Sequence, residues 1–181
     1  VASFETYVGD VKLLSPTVYN VTIDTPGKLR TWGSSGEVGL VGGAQTPTSV
    51  PAFDHFPVVA VSSVSRHTLV KTGDGRIWCF GVNDKGQCGL GHQDPVNEPT
   101  EVTFFSEKEV TRLVAGVDVS AVIADGSLHT AGGGPSGNHL AASGGSDAGF
   151  GLVSALGAVD RVALFKSGGF AMNTSGTWYA W

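Results

Sequence analysis

Few residues of this chain have the type and spacing that chemistry needs. Gly132-Gly133-Gly134-Pro135-Ser136-Gly137 spells G-x-G-x-x-G. That spacing holds a dinucleotide only when a helix follows and aims its N-terminus at the pyrophosphate. Pro135 and the Gly/Ser-rich stretch after it supply no helix, so the run reads as a loop. Gly81 to Gly86 has the glycine spacing of a phosphate loop, but Gln87 and Cys88 stand where Lys and Ser or Thr must be. His92-Gln93-Asp94 offers two ligand types with no third clustered His or Cys. A metal site needs more donors than that. Cys79 and Cys88 lack the partner spacing of a zinc site, and so small a cysteine content fits a reducing compartment better than a disulfide framework. No Ser/His/Asp or paired-carboxylate arrangement stands at local spacing. The expectation is a protein that is not an enzyme, with no cofactor and no catalytic or metal residues.

Composition narrows the partners. Hydrophobic residues make up 41% of the 181 and charged residues 15%, the balance of a globular chain. A formal net charge of -5 argues against a grip on a nucleic-acid backbone by this segment, which would need a basic face. No apolar run reaches the roughly 18 residues of a membrane span. Val1-Ala2-Ser3-Phe4-Glu5-Thr6 has none of the features of a signal peptide. That start, and a finish inside a motif, are what a fragment would show. The sequons at Asn20 and Asn173 read as chance matches, and an intracellular location is expected, with no compartment specified.

The elements that must position any site come from a repeat. Gly75-Arg76-Ile77-Trp78-Cys79-Phe80-Gly81 has counterparts at Gly27 to Gly33, Gly126 to Gly132, and Gly176 to Trp181. Trp32, Phe80, Ala131 and Trp181 follow one another at 48, 51 and 50 residues. A fixed period of this size marks a repeat architecture. Each unit holds about four short strands. Val18 to Ile23 and Lys28 to Trp32 read as a hairpin, as do His67 to Lys71 and Arg76 to Phe80, and Val119 to Ala124 and Ser127 to Ala131. A further strand is predicted over Thr100 to Phe104. No convincing helix is present. Long loops at 33–51, 81–99 and 132–151 should gather on one face. Four-stranded units repeated radially are the blades of a β-propeller. The fold class is therefore all-β, a partial ring of about three to four blades. All of 1–181 belongs to one propeller domain, with units at about 28–75, 76–126 and 127–176 and partial units at both ends. Trp32, Trp78, Trp178 and Trp181 sit at repeat positions and are expected in the core.

The best unit resembles the regulator of chromosome condensation repeat. The residues that carry the likeness are Gly75 to Gly81, then Gly86-Gln87-Cys88-Gly89-Leu90-Gly91, Pro99, Val102, Val110 to Gly116, and Asp125-Gly126. The first unit keeps Trp32-Gly33 with a shorter loop, and the third has Ala131 where an aromatic residue is expected. The resemblance implies a seven-bladed ring of about twice this length, completed by the rest of the chain or by another chain. It implies structural roles for Gly33, Gly75, Gly81, Gly86, Gly89, Gly91, Gly126 and Gly132. Arg66-His67-Thr68 keeps the core of the motif that opens a blade strand; it reads either as an exposed Arg/His pair on the propeller face or, the favoured expectation, as a His67 hydrogen-bonded to backbone within its blade. Val64-Ser65 occupies the place of the light-sensing tryptophans of some members. Loops carry propeller function. The candidate contacts are Asn83, Asp84, Lys85, Gln87, His92, Asp94 and Glu98, in a scaffold module whose partner is a protein or a multi-subunit complex. The resemblance also implies an alternative, a guanine-nucleotide exchange factor for a Ran-like small GTPase.

Overall fold

A computed structural model describes residues 19–24, 27–33, 38–133, 148–165 and 168–181. Alternating apolar residues between glycine turns form antiparallel sheets, each made of strands consecutive in the chain. The first sheet is β1 (Tyr19–Asp24), β2 (Lys28–Gly33) and β3 (Ala44–Ser49). The second is β4 (Val58–Val64), β5 (His67–Thr72), β6 (Ile77–Gly81) and β7 (Val96–Glu101). The third is β8 (Val110–Ala115), β9 (Val119–Ala124), β10 (Ser127–Gly132) and β11 (Gly151–Leu152). The fourth is β12 (Val159–Phe165), β13 (Gly168–Asn173) and β14 (Trp178–Ala180). No α-helix is found among the described residues.

The opening strands of the second, third and fourth sheets meet, β4 against β8 and β8 against β12, and Val58 N of β4 donates to Gly27 O of the first β-turn at 2.8 Å, so the sheets stand side by side as blades. Register breaks between Val58 and Ala60, Val110 and Arg112, and Val159 and Arg161, at the same place in each opening strand. Such bulges add local twist, which a radially stacked blade requires. The protein is thus all-β with the blades of a partial propeller.

Between sheets the chain makes 3₁₀ turns at Pro51–Phe53, Thr103–Phe105 and Ser154–Leu156. The valine before each turn donates its N–H to the preceding sheet: Val50 to Leu29 at 3.1 Å, Val102 to Ile77 at 2.8 Å and Val153 to Leu128 at 2.8 Å. The last residue of each turn, Phe53, Phe105 or Leu156, is then buried. Phe53 meets Trp78 of the second sheet edge-on at 5.7 Å, and Phe105 meets Phe150, the residue just before β11, at 4.8 Å. Each turn therefore drops an apolar wedge between blades.

Two expectations are corrected here. The strand predicted over Thr100 to Phe104 is instead Val96–Glu101, followed by the turn, because Val102 bonds back to Ile77 and Phe105 turns inward. Pro99 sits on the outer strand β7, where its missing N–H leaves no ladder bond unmade. Trp178 is not core but 60% exposed, while Trp32, Trp78 and Trp181 are half-buried.

Candidate interaction surface

The loop after β6 is fixed from within. Gly81 (φ 113°) brings its backbone so close to Arg66 O and the His67 Cα that a Cβ would collide with both. Asn83, fully buried, then acts as the hub of the loop. Its Nδ2 donates to His92 O at 2.8 Å and Asp94 O at 3.1 Å, and its Oδ1 accepts from Cys88 N at 2.9 Å. The buried Gln87 side chain accepts from Lys85 N at 2.9 Å and lies against Gly132 of the next blade.

Cys79 and Cys88 form a disulfide, with their Cα atoms 5.5 Å apart. This overturns the expectation of unpaired thiols, and the cysteines no longer argue for a reducing compartment. The bond is possible because the Asn83 hub turns the chain back and lays Cys88 beside β6. In the first blade the equivalent pair is Thr31 and Val38, joined by a hydrogen bond from Thr31 Oγ1 to Val38 O at 2.6 Å. One cross-link thus recurs in two chemistries.

The loop is also docked on its neighbour. Leu90 bridges Gly149, and Gly91 N donates to Ala148 O at 2.9 Å. Gly89 (φ 67°) lies on the Phe150 ring with no room for a Cβ, as Gly39 lies on the Phe80 ring one blade earlier. The third blade carries Ala131 at the position of Phe80, and Phe150 fills the space instead. All eight glycines given structural roles have positive φ.

The structure sorts the seven candidate contacts. Asn83 and Gln87 are interior and spend their polar atoms on the loop itself. Asp84, His92, Asp94 and Glu98 are exposed, and Lys85 is half-buried. Asp94 N donates to His92 Nδ1 at 3.2 Å, which brings those two together at the loop tip. The dinucleotide-like run from Gly134 onward and most of loop 132–151 lie outside the described residues.

Beside the tip an open groove of about 460 Å³ runs between loop and blade. Phe104, Phe150, Leu90, His92, Thr100 and Glu101 are among its lining residues. Phe104 is 41% exposed, edge-on to His129 at 5.4 Å, with Lys108 Nζ 5.5 Å above its ring. Burial pushes the His129 imidazole down, against the Ser127 carbonyl that favours its proton. The sequence signal for this aromatic patch is the Phe104-Phe105 pair, of which the predicted strand took in Phe104 alone.

His67 is fully buried, which fits the structural reading, but its partner is not backbone within the blade. Its Nε2 shares a hydrogen bond of 2.8 Å with Ser120 Oγ of the next blade. Sequence offers no sign of a contact that spans two repeats. Burial drives the His67 pKa down to about 4. The pair has the composition of a nucleophile and base, yet neither residue reaches solvent. Among the described residues no cluster of three or more His, Cys, Asp or Glu could hold a metal. No described helix is long and apolar enough to cross a membrane.

Comparison with known proteins gives concordant results. Models of the regulator of chromosome condensation (RCC1) repeat match residues 74–123 and 58–87. Protein RCC2 of Mus musculus is 31% identical over 115 residues, covering 60% of this chain and 22% of that protein. The E3 ubiquitin-protein ligase HERC2 of Homo sapiens is 33% identical over 115 residues, covering 61% of this chain and 2% of the ligase. The crystal structure of human WBSCR16 superposes with a TM-score of 0.74 at 18% identity, over 97% of this chain and 48% of that one. Prp20p from Saccharomyces cerevisiae, a protein studied for its binding to Gsp1p and histones, gives 0.73 at 18%, over 100% and 47%. The chain therefore spans about a fifth of RCC2 and just under half of each of these structures.

Proposed function

Because this chain is an RCC1-like repeat protein, we propose that it works as a non-catalytic protein-interaction scaffold whose contact surface is the loop after β6. One observation carries this reading. The loop is held by a disulfide, the buried Asn83 hub and a neighbouring blade, yet presents Asp84, His92 and Asp94 outward, and it leads into β7, where Glu98 is exposed. A rigid loop loses little conformational entropy on binding, which favours specific contacts. The acidic character of the segment favours a protein partner over nucleic acid. Membership of a multi-subunit complex fits the same surface.

Removing 81–99 would take away four of the six residues of β7, so the informative variant reverses charge instead. In the full-length protein, Asp84→Lys, Asp94→Lys and Glu98→Lys together should leave the melting temperature unchanged. They should abolish a discrete protein adduct formed by a photo-crosslinker placed at Gln93. An adduct that survives the reversal sinks the proposal. The exchange-factor alternative has its own readout. A Ran-type GTPase loaded with fluorescent GDP should release nucleotide at the same rate with and without the full-length protein; acceleration would replace the scaffold reading.

A further inference from the structure

The groove beside the loop tip has a chemistry more specific than contact in general. Its floor is aromatic, Phe104 and Phe150, and its walls are low because Gly89, Gly91 and Gly149 line them. Its surroundings are acidic. Of the chain's net charge of -5, residues 81–109 carry -4, from six carboxylates (Asp84, Asp94, Glu98, Glu101, Glu107, Glu109) against Lys85 and Lys108. Arg76 does not cancel Glu101, since its guanidinium is shared with Asp74, 2.6 Å from one carboxylate and 3.6 Å from the other. No described residue makes an ion pair with Glu98. Lys108 over Phe104 shows that this ring already accepts a cation on its face.

We infer that the groove receives a segment of a partner protein bearing arginine or lysine next to an aliphatic side chain. The aliphatic group covers Phe104 and Phe150. The cation pairs with Glu101, the carboxylate that lines the groove, while the exposed Asp94 and Glu98 add to the negative field of the segment. The inference rests on the interaction reading and gives it a partner chemistry. An acidic segment would meet the net negative charge of residues 81–109 despite Lys108 over Phe104, and a purely apolar one would leave Glu101 desolvated without a new partner.

The test pans a random heptapeptide phage library against the immobilised full-length protein. Peptides with Arg or Lys beside Leu, Ile, Val or Met should be enriched. A labelled enriched peptide should bind at least tenfold more weakly to Phe104→Ala and to Thr100→Arg, which fills the groove with a competing cation. Both substitutions are at exposed positions, and a melting curve checks that each variant is folded. Binding should also weaken as salt rises. Enrichment of acidic or uncharged peptides, no enrichment over bare support, or equal binding by both variants overturns the inference. Neither variant replaces Asp84, Asp94 or Glu98, and Phe104→Ala is the decisive one of the two, because Thr100→Arg also removes the bond from Thr100 Oγ1 to the Glu98 carbonyl at 3.1 Å. If the crosslinked adduct persists in Phe104→Ala and Thr100→Arg but is lost on charge reversal, the groove assignment falls while the scaffold reading stands.

Discussion

His67 shows how much one buried side chain couples to its surroundings. It is 0% exposed, shares one ring nitrogen with Ser120 and leaves Nδ1 without a partner. Burial alone lowers its pKa from 6.5 to about 4. The unfolded chain then binds a proton that the folded chain refuses over that interval. Stability from the neutral ring is complete above the unfolded value and is lost as pH falls toward 4, by about 2–3 kcal/mol at pH 4.5. His129, also lowered by burial, acts in the same direction. Denaturant midpoints at pH 7.5 and 4.5 should therefore differ more in the wild type than in His67→Gln. Equal differences in the two proteins would show that His67 carries none of the pH dependence. The motif made His67's structural role legible, because Arg66-His67-Thr68 opens a blade strand. Ser120 was illegible for a plain reason: it lies 53 residues away, and the contact exists only once two blades stack.

At the scale of elements, the cross-link from β6 to its loop is the informative comparison. Thr31 with Val38 and Cys79 with Cys88 hold equivalent points together, one by a hydrogen bond and one by a covalent bond. The disulfide closes a short loop, with a sequence separation of 9. Chain-entropy reasoning assigns such a closure about 2.5 kcal/mol. A single neutral hydrogen bond contributes about 1 kcal/mol. Cys79→Thr with Cys88→Val should thus melt several degrees below the wild type in oxidising buffer, and its melting point should ignore dithiothreitol. The wild type should drop toward the variant when reduced. A wild-type transition indifferent to reductant would show that the bond does not hold the loop. The strand frame was readable because alternation and glycine turns are local signals. The cysteine pairing was not, because Cys88 reaches β6 only through the buried Asn83 hub, and nothing in the spacing announces that hub. The 3₁₀ wedges were half readable: Val102 was a motif position, but the predicted strand stopped at Phe104, and Phe105 had no role until its burial between blades gave it one.

On the scale of the molecule, blades are joined unequally. The second and third share polar stitches: Ala115 N donates to Ser62 Oγ at 2.9 Å, and Lys71 Nζ donates to Val110 O at 2.6 Å, beside the His67–Ser120 bond. The third and fourth share an apolar cluster of Val114, Val119, Val162 and Leu164 among others. In repeat architectures each unit gains stability from its neighbours, so an uncovered flank is an interface awaiting one. The fourth blade has such a flank. Phe170 is 46% exposed where Ala121 and Leu69, its repeat equivalents, are 0%. Trp178 is 60% exposed where Leu128 is 0% and Ile77 1%. Phe165 stands beside Phe170 with ring centroids 5.4 Å apart and is itself 41% exposed. So contiguous an aromatic patch is rarely left in water. A further blade, from the same or another chain, is expected to cover it in the full-length protein. Hydroxyl-radical footprinting reads this directly. Trp178 and Phe170 should react far more slowly than Phe104, whose 41% exposure belongs to an open groove. If Trp178 is oxidised as fast as Phe104, the flank faces solvent, and the propeller must end on an aromatic surface that its own repeats elsewhere keep buried.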